Sequence, residues 1–96
     1  MKTMYVYIIA SKRNGTLYSG VTNNLIRRAY EHRNELIEGF SKRYHIHILV
    51  YYEIYEDALT AIEREKKIKH AGRAYKLSLI RDMNPDWIDL YEKICK

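Results

Sequence analysis

The feature that most constrains this chain is the Asn14-Gly15 dipeptide, which separates two runs rich in β-branched and aromatic residues, Tyr5 to Ala10 and Thr16 to Val21. Asn-Gly between such runs is the strongest short-range hairpin signal, because both central residues of a type I′ turn need positive φ. A two-residue loop would set Arg13 opposite Thr16 and make every facing pair sum to 29, so Tyr18 is expected opposite Ser11 and Tyr7 opposite Thr22. Side chains alternate along a strand and facing residues share a side. Tyr7, Ile9, Ser11, Tyr18, Gly20 and Thr22 then occupy one face, and two phenols converge. A three-residue loop would put them on opposite faces.

Downstream, Thr22-Asn23-Asn24 supplies capping side chains for a helix from Leu25 to about Ile37, ending before Gly39. Ile46 to Tyr55 reads as a third strand. Asp57 can cap a helix from Ala58 to Ala71, with Gly72 as its stop; another helix is expected over Arg73 to Arg81. Asn84-Pro85 reads as a cap and first position of a short terminal helix. The order ββαβααα predicts an α/β fold of the α+β sandwich kind, a small three-stranded antiparallel sheet flanked by helices. With 96 residues and no repeat or linker-like stretch, a single domain over 1–96 is expected.

Seventeen Lys and Arg against twelve Asp and Glu leave a charge of +5, which favours polyanionic partners. Ten tyrosines among these cations make nucleic acid the leading class, since a phenol offers both a stacking face and a proton. The single cysteine, Cys95, excludes an internal disulfide and a multi-cysteine zinc site. No uncharged apolar run approaches the roughly 20 residues of a membrane crossing, and Met1-Lys2-Thr3 leads directly into a strand without a cleavable leader, so a cytoplasmic protein with no membrane partner is expected.

Two helices carry polar residues inside apolar stripes. On a helical wheel His32 lies in the middle of a stripe formed by Leu25, Ala29 and Leu36, with Arg28 on its border and Arg27 pointing away. His32 and Arg28 are one turn apart and can address one ligand, although a satisfied core histidine and a snorkelling arginine are the plainer readings. Glu65 is centred among Ala58, Ala61, Ile62 and Ile68, whereas Glu63 looks outward. A carboxylate so placed needs a cation, which can be an Arg, a Lys or a metal. Phosphodiester hydrolysis calls for these parts: a proton acceptor, a cation for the non-bridging oxygens and a divalent ion for the departing oxyanion.

Val6-Tyr7-Ile8 and Tyr18-Ser19-Gly20, their tyrosines eleven residues apart, are followed by Arg28, His32 and the segment Ile62-Glu63-Arg64-Glu65-Lys66. In these motifs the chain resembles the GIY-YIG nuclease superfamily, over a core of about residues 4–82 that leaves 83–96 as a helical extension. It is similar in particular to the small single-domain branch related to the nuclease domain of the excinuclease C subunit. The resemblance implies a single Mg²⁺ or Mn²⁺ on Glu65 and water attack on a DNA phosphodiester, leaving a 5′-phosphate and a 3′-hydroxyl. It implies Tyr7 as general base or water-positioning phenol, Tyr18 and His32 as proton-handling partners, and Arg28 as the holder of the scissile phosphate. Val6 stands where the family has glycine and Ser19 where it has a bulky apolar residue; both are expected to alter packing more than chemistry.

Many relatives carry separate targeting modules, so a protein partner that supplies targeting is one expectation here. The domain's own phosphate contacts are then expected among Lys12, Arg13, Arg27, Arg33, Lys42, Arg43, Lys66, Lys67, Lys69 and Arg73. His45 and His47 alternate along the third strand, but no nearby acidic or cysteine ligand completes a metal set. The leading expectation is a metal-dependent DNA endonuclease acting in DNA repair or recombination. The alternatives are a non-catalytic nucleic-acid-binding module with the same fold, and a protein-interaction domain whose tyrosines only pack.

Overall fold

Residues 3–96 are described by the structure, a computed structural model; Met1 and Lys2, part of the leader reading, lie outside the described residues. The elements are β1 (Met4–Ala10), β2 (Leu17–Thr22), α1 (Leu25–Arg33), α2 (Phe40–Arg43), β3 (Ile48–Tyr55), α3 (Ala58–Ala71), α4 (Arg73–Met83) and α5 (Tyr91–Ile94). The strands form one antiparallel sheet in the order β2-β1-β3. The expected α+β order is present, with the single turn α2 added before β3.

Central β1 is buried continuously from Val6 to Ala10 because helices cover both faces of the sheet. On one face Val6, Ile8 and Ala10 pack against Ala61 and Ile68 of α3 and Ile80 of α4. On the other, Tyr7 and Ile9 pack against Leu25 and Ala29 of α1, with Ile46, Leu49 and Leu90. Each fully buried Ile or Val contributes about 1.5–3 kcal/mol relative to exposure. A bulge in β3 divides that strand between the two layers: Leu49 pairs with Ile9 and Tyr51 with Ile8, so residues that would share a face of a regular strand go to opposite ones. Glu53, half-buried on the α3 side, takes hydrogen bonds from Arg64 Nε (2.9 Å) and Nη2 (2.8 Å) and from the hydroxyls of Tyr51 and Tyr55. Burial alone would raise its pKa, but these donors hold it below the usual carboxylate range.

The hairpin differs from the expected one. Tyr7 faces Gly20 and Ile9 faces Tyr18, and the Ser11 N–H to Thr16 carbonyl bond of 3.0 Å leaves Lys12–Gly15 as a four-residue loop. Asn14 takes the left-handed φ of 58°, but Gly15 does not join it, so the type I′ requirement is unmet. Lengthening the loop by two residues is an even change, and the face assignment of both tyrosines is preserved.

Helix α1 stops at Arg33, short of Ile37, because Asn34 Nδ2 donates to the Tyr30 carbonyl at 2.9 Å and Glu35 turns to φ 54°. Leu36 leaves the expected stripe and is 60% exposed. Strand β3 begins at Ile48, two residues late, after His45 at φ 56°. Asp57 and Gly72 cap and stop α3 at the expected bounds, whereas α4 runs two residues further, to Met83. Asn84 closes α4 and does not start a helix. Its buried side chain donates to the carbonyls of Val50 (3.2 Å) and Ile88 (2.8 Å) and accepts from the Ile88 N–H, which moves the terminal helix on to Tyr91. Among the described residues no helix is long and apolar enough to cross a membrane.

Candidate active site

Tyr7 of β1 and Tyr18 of β2 lie on the face covered by α1. Gly20, directly opposite Tyr7, makes room for the phenol: a Cβ at residue 20 would sit 2.5 Å from Tyr7 Oη and 2.6 Å from Cζ. The ring therefore lies across β2, and its hydroxyl meets His32 Nε2 at 3.1 Å. His32 is 3% exposed, and its Nδ1 meets Ser41 Oγ of α2 at 3.1 Å. The Tyr7 and Tyr18 rings stand 5.6 and 6.1 Å from the imidazole, both tilted. The polar residue in the apolar stripe of α1 is thus satisfied on both ring nitrogens.

Burial, with Arg28 adding to it, lowers the His32 pKa to about 4, so the imidazole is neutral at pH 7. Burial likewise raises the Tyr7 pKa above its ordinary value, and the nearby Arg28 guanidinium offsets this only in part. At pH 7 the pair consists of a protonated phenol and a neutral imidazole. Arg28 is half-exposed beside them, and Glu31 binds it at 3.4 Å while also binding Arg27 at 3.4 Å.

Glu65 projects from α3, on the other face of the sheet. It reaches the cluster at the edge strand, where Ser19 Oγ donates to Glu65 Oε2 at 2.9 Å. The carboxylate is close enough to raise the Tyr7 pKa electrostatically. Where an apolar side chain would only pack, Ser19 also donates a hydrogen bond to one carboxylate oxygen. Among the described residues no Arg or Lys forms a salt bridge with Glu65. No group of three His, Cys, Asp or Glu side chains gathers for a metal among them. A single carboxylate with one oxygen taken by Ser19 suits a hard cation that keeps most of its waters, as Mg²⁺ does.

The expected phosphate contacts scatter. Lys69 lines a hollow of about 310 Å³ with Tyr18 and Ser19, while Lys66 and Lys67 line another with Tyr55 and Arg64, along the β3 side. Lys12, Arg13 and Arg43 are exposed. Arg73 Nη2 donates to the Asn14 carbonyl at 2.8 Å and ties the hairpin loop to α4. Arg33 lies over the Tyr91 ring at 4.9 Å, Lys42 pairs with Glu38 at 2.7 Å, and His45 pairs with Glu35 at 3.2 Å. Sequence reasoning missed Ser19 as a partner of Glu65, Ser41 as a partner of His32, and Lys76, which lines the Tyr18 hollow within electrostatic reach of Glu65. None of the three has a local signal, since each acts across the fold.

Comparison with known proteins places the sequence in a family. A family model described as the GIY-YIG catalytic domain matches residues 3–78. A UPF0213 protein of Clostridium perfringens is 40% identical over 76 residues, covering 79% of this chain and 81% of the relative. UPF0213 proteins of Staphylococcus saprophyticus and Staphylococcus haemolyticus are 33% and 34% identical over 82 residues, each match covering 85% of this chain and 99% of the relative. No solved structure gives a significant match.

Proposed function

The chain belongs to the GIY-YIG family, and from that premise we propose that it is a metal-dependent endonuclease that hydrolyses DNA phosphodiester bonds with a single divalent ion. The observation that carries this reading is the hydrogen-bonded series Tyr7, His32, Ser41 on the face shared with Tyr18. With Nδ1–H donated to Ser41 Oγ, His32 presents Nε2 as an acceptor to the Tyr7 O–H. The phenol then takes a proton from the attacking water as it passes its own to the imidazole, so a weakly acidic tyrosine need not ionise beforehand. Tyr18 orients the water from the neighbouring strand, and Arg28 leaves Glu31 to neutralise the non-bridging oxygens. Glu65, held by Ser19, is the residue to carry Mg²⁺ or Mn²⁺; that ion would supply charge stabilisation for the departing 3′ oxygen. The products are a 5′-phosphate and a 3′-hydroxyl.

We read residues 1–96 as one GIY-YIG-like domain in the cytoplasm, with a protein partner supplying its targeting and DNA repair or recombination as its setting. One observation favours the alternative of a non-catalytic nucleic-acid-binding module: Glu31 already occupies Arg28, so a phosphate must displace it. The test is cleavage of branched, single-stranded and duplex DNA across a Mg²⁺ and Mn²⁺ titration, with Glu65→Ala as the control. Nicking by the wild type, abolished in Glu65→Ala with binding largely intact, is expected. Identical behaviour of the two proteins at every metal concentration would leave the binding module.

A further inference from the structure

Beside the Tyr7–His32 cluster the chain exposes aromatic surface that its own core does not use. Phe40 is 48% and Tyr44 49% exposed, one on the single turn α2 and the other just after it. Their ring centroids are 4.7 Å apart, and Phe40 lies nearly parallel to Tyr18, 6.2 Å away with 26° between planes. Tyr18 in turn neighbours His32, so a continuous aromatic track runs from solvent to the cluster. The hollow at Phe40 is completed by Leu17, Tyr18, Ser19, Lys69 and Lys76, two cations and no carboxylate. Lys76 is half-buried there; burial lowers its pKa, the Glu65 carboxylate works against that shift, and a phosphate beside the ammonium would favour the charged form further.

We propose that Phe40 and Tyr44 form a stacking platform for an unpaired base, with Lys69 and Lys76 taking the phosphates of the same strand. The preferred substrate then exposes a single-stranded segment next to the scissile bond. This rests on the nuclease reading for the position of that bond. The occupant follows from charge and shape together. Aromatic faces flanked by lysines suit a strand that alternates flat apolar bases with anionic phosphates. A duplex keeps its bases paired and inside, so it offers the lysines its phosphates but offers Phe40 no face.

The test measures binding of the full chain in EDTA, where nothing is cut. A strand of about 12 nucleotides carrying 2-aminopurine is compared with the same strand in a blunt duplex. The wild type is expected to quench the probe in the single strand. Phe40→Ala should lose the quench and bind the single strand ~5- to ~100-fold more weakly, the range of one stacked base. Its affinity for the duplex should stay within about twofold, because phosphate contacts are untouched. Phe40→Trp, which restores a stacking face, should recover quench and affinity even where the alanine variant folds poorly. Absence of quench in the wild type, or an equal loss on both DNA forms in Phe40→Ala, would overturn the platform; the latter would mean the ring only packs or meets an apolar protein surface. Cleavage does not enter these readouts, so a chain that quenches but never cuts refutes the nuclease reading alone.

Discussion

The neutrality of His32 at pH 7 is the physical condition for a proton to pass from Tyr7, and it has a measurable thermodynamic consequence. In the unfolded chain the imidazole takes a proton near 6.5, whereas in the folded chain it resists until about 4. Between these values the unfolded state binds more protons, so stability is fully present above 6.5 and falls as the pH drops toward 4. For a single site this loss is about 2 kcal/mol between pH 8 and pH 5, rising to about 3 kcal/mol at pH 4. Glu53 and Asp57, whose pKa values lie below their ordinary ones, also lose their contributions in acid. The His32→Gln variant isolates the imidazole, because Gln keeps a polar group toward Tyr7 and Ser41 without titrating. Urea denaturation of both proteins across this pH range should give a difference in stability that changes by about 2 kcal/mol by pH 5. Carbon-detected NMR should show one imidazole, missing from the variant, that titrates near 4. Parallel pH profiles for the two proteins, or that imidazole titrating near 6.5, would refute the argument from burial and with it the neutral acceptor.

Two further outcomes follow from the geometry. Gly20→Ala puts a methyl group 2.5 Å from the Tyr7 hydroxyl, so it should displace the phenol, cost about 1–3 kcal/mol in urea midpoint terms and cut cleavage by more than about tenfold with DNA binding retained; cleavage at the wild-type rate would show that the phenol's place does not matter. Ser19→Ala removes the only donor on Glu65 Oε2 among the described residues and should weaken Mn²⁺ binding, followed by calorimetry, by about tenfold, with Ser19→Thr recovering most of it; equal affinity in all three proteins would make the hydroxyl a packing detail.

Much of this molecule was legible because the relevant physics is local. Asp57 accepts from the Thr60 N–H three residues on, and Gly72 adopts φ 88°, so both ends of α3 could be read from adjacent residues. The pairing of Tyr7 and Tyr18 on one face withstood an error in the loop because strand parity ignores an even shift. The family motifs pointed to Tyr18 and Arg28, and the helical wheel marked His32, which is buried; the stripe expected around Glu65 is only half present, since Ala61 and Ile68 are buried but Ala58 and Ile62 are exposed. Other features depended on groups distant in sequence. Asn84 is as good a candidate to end a helix as to begin one; it was decided by carbonyls of β3 and the following loop, with Val50 thirty-four residues away. The bulge that sorts Leu49 from Tyr51 exists only in the pairing with β1. Ser19 meets Glu65 across forty-six residues, and Ser41 of α2 meets His32 of α1 across nine. A hydrogen bond within a turn is set by the residues that make the turn, so sequence by itself determined the three strands, both ends of α3 and the shared face of Tyr7 and Tyr18; α2, the end of α1 and the partners Ser19 and Ser41 lay outside its reach. Which polar atoms then meet depends on how helices and strands settle around a shared core, and that packing alone decided the register, the satisfied imidazole and the hydroxyl on the carboxylate.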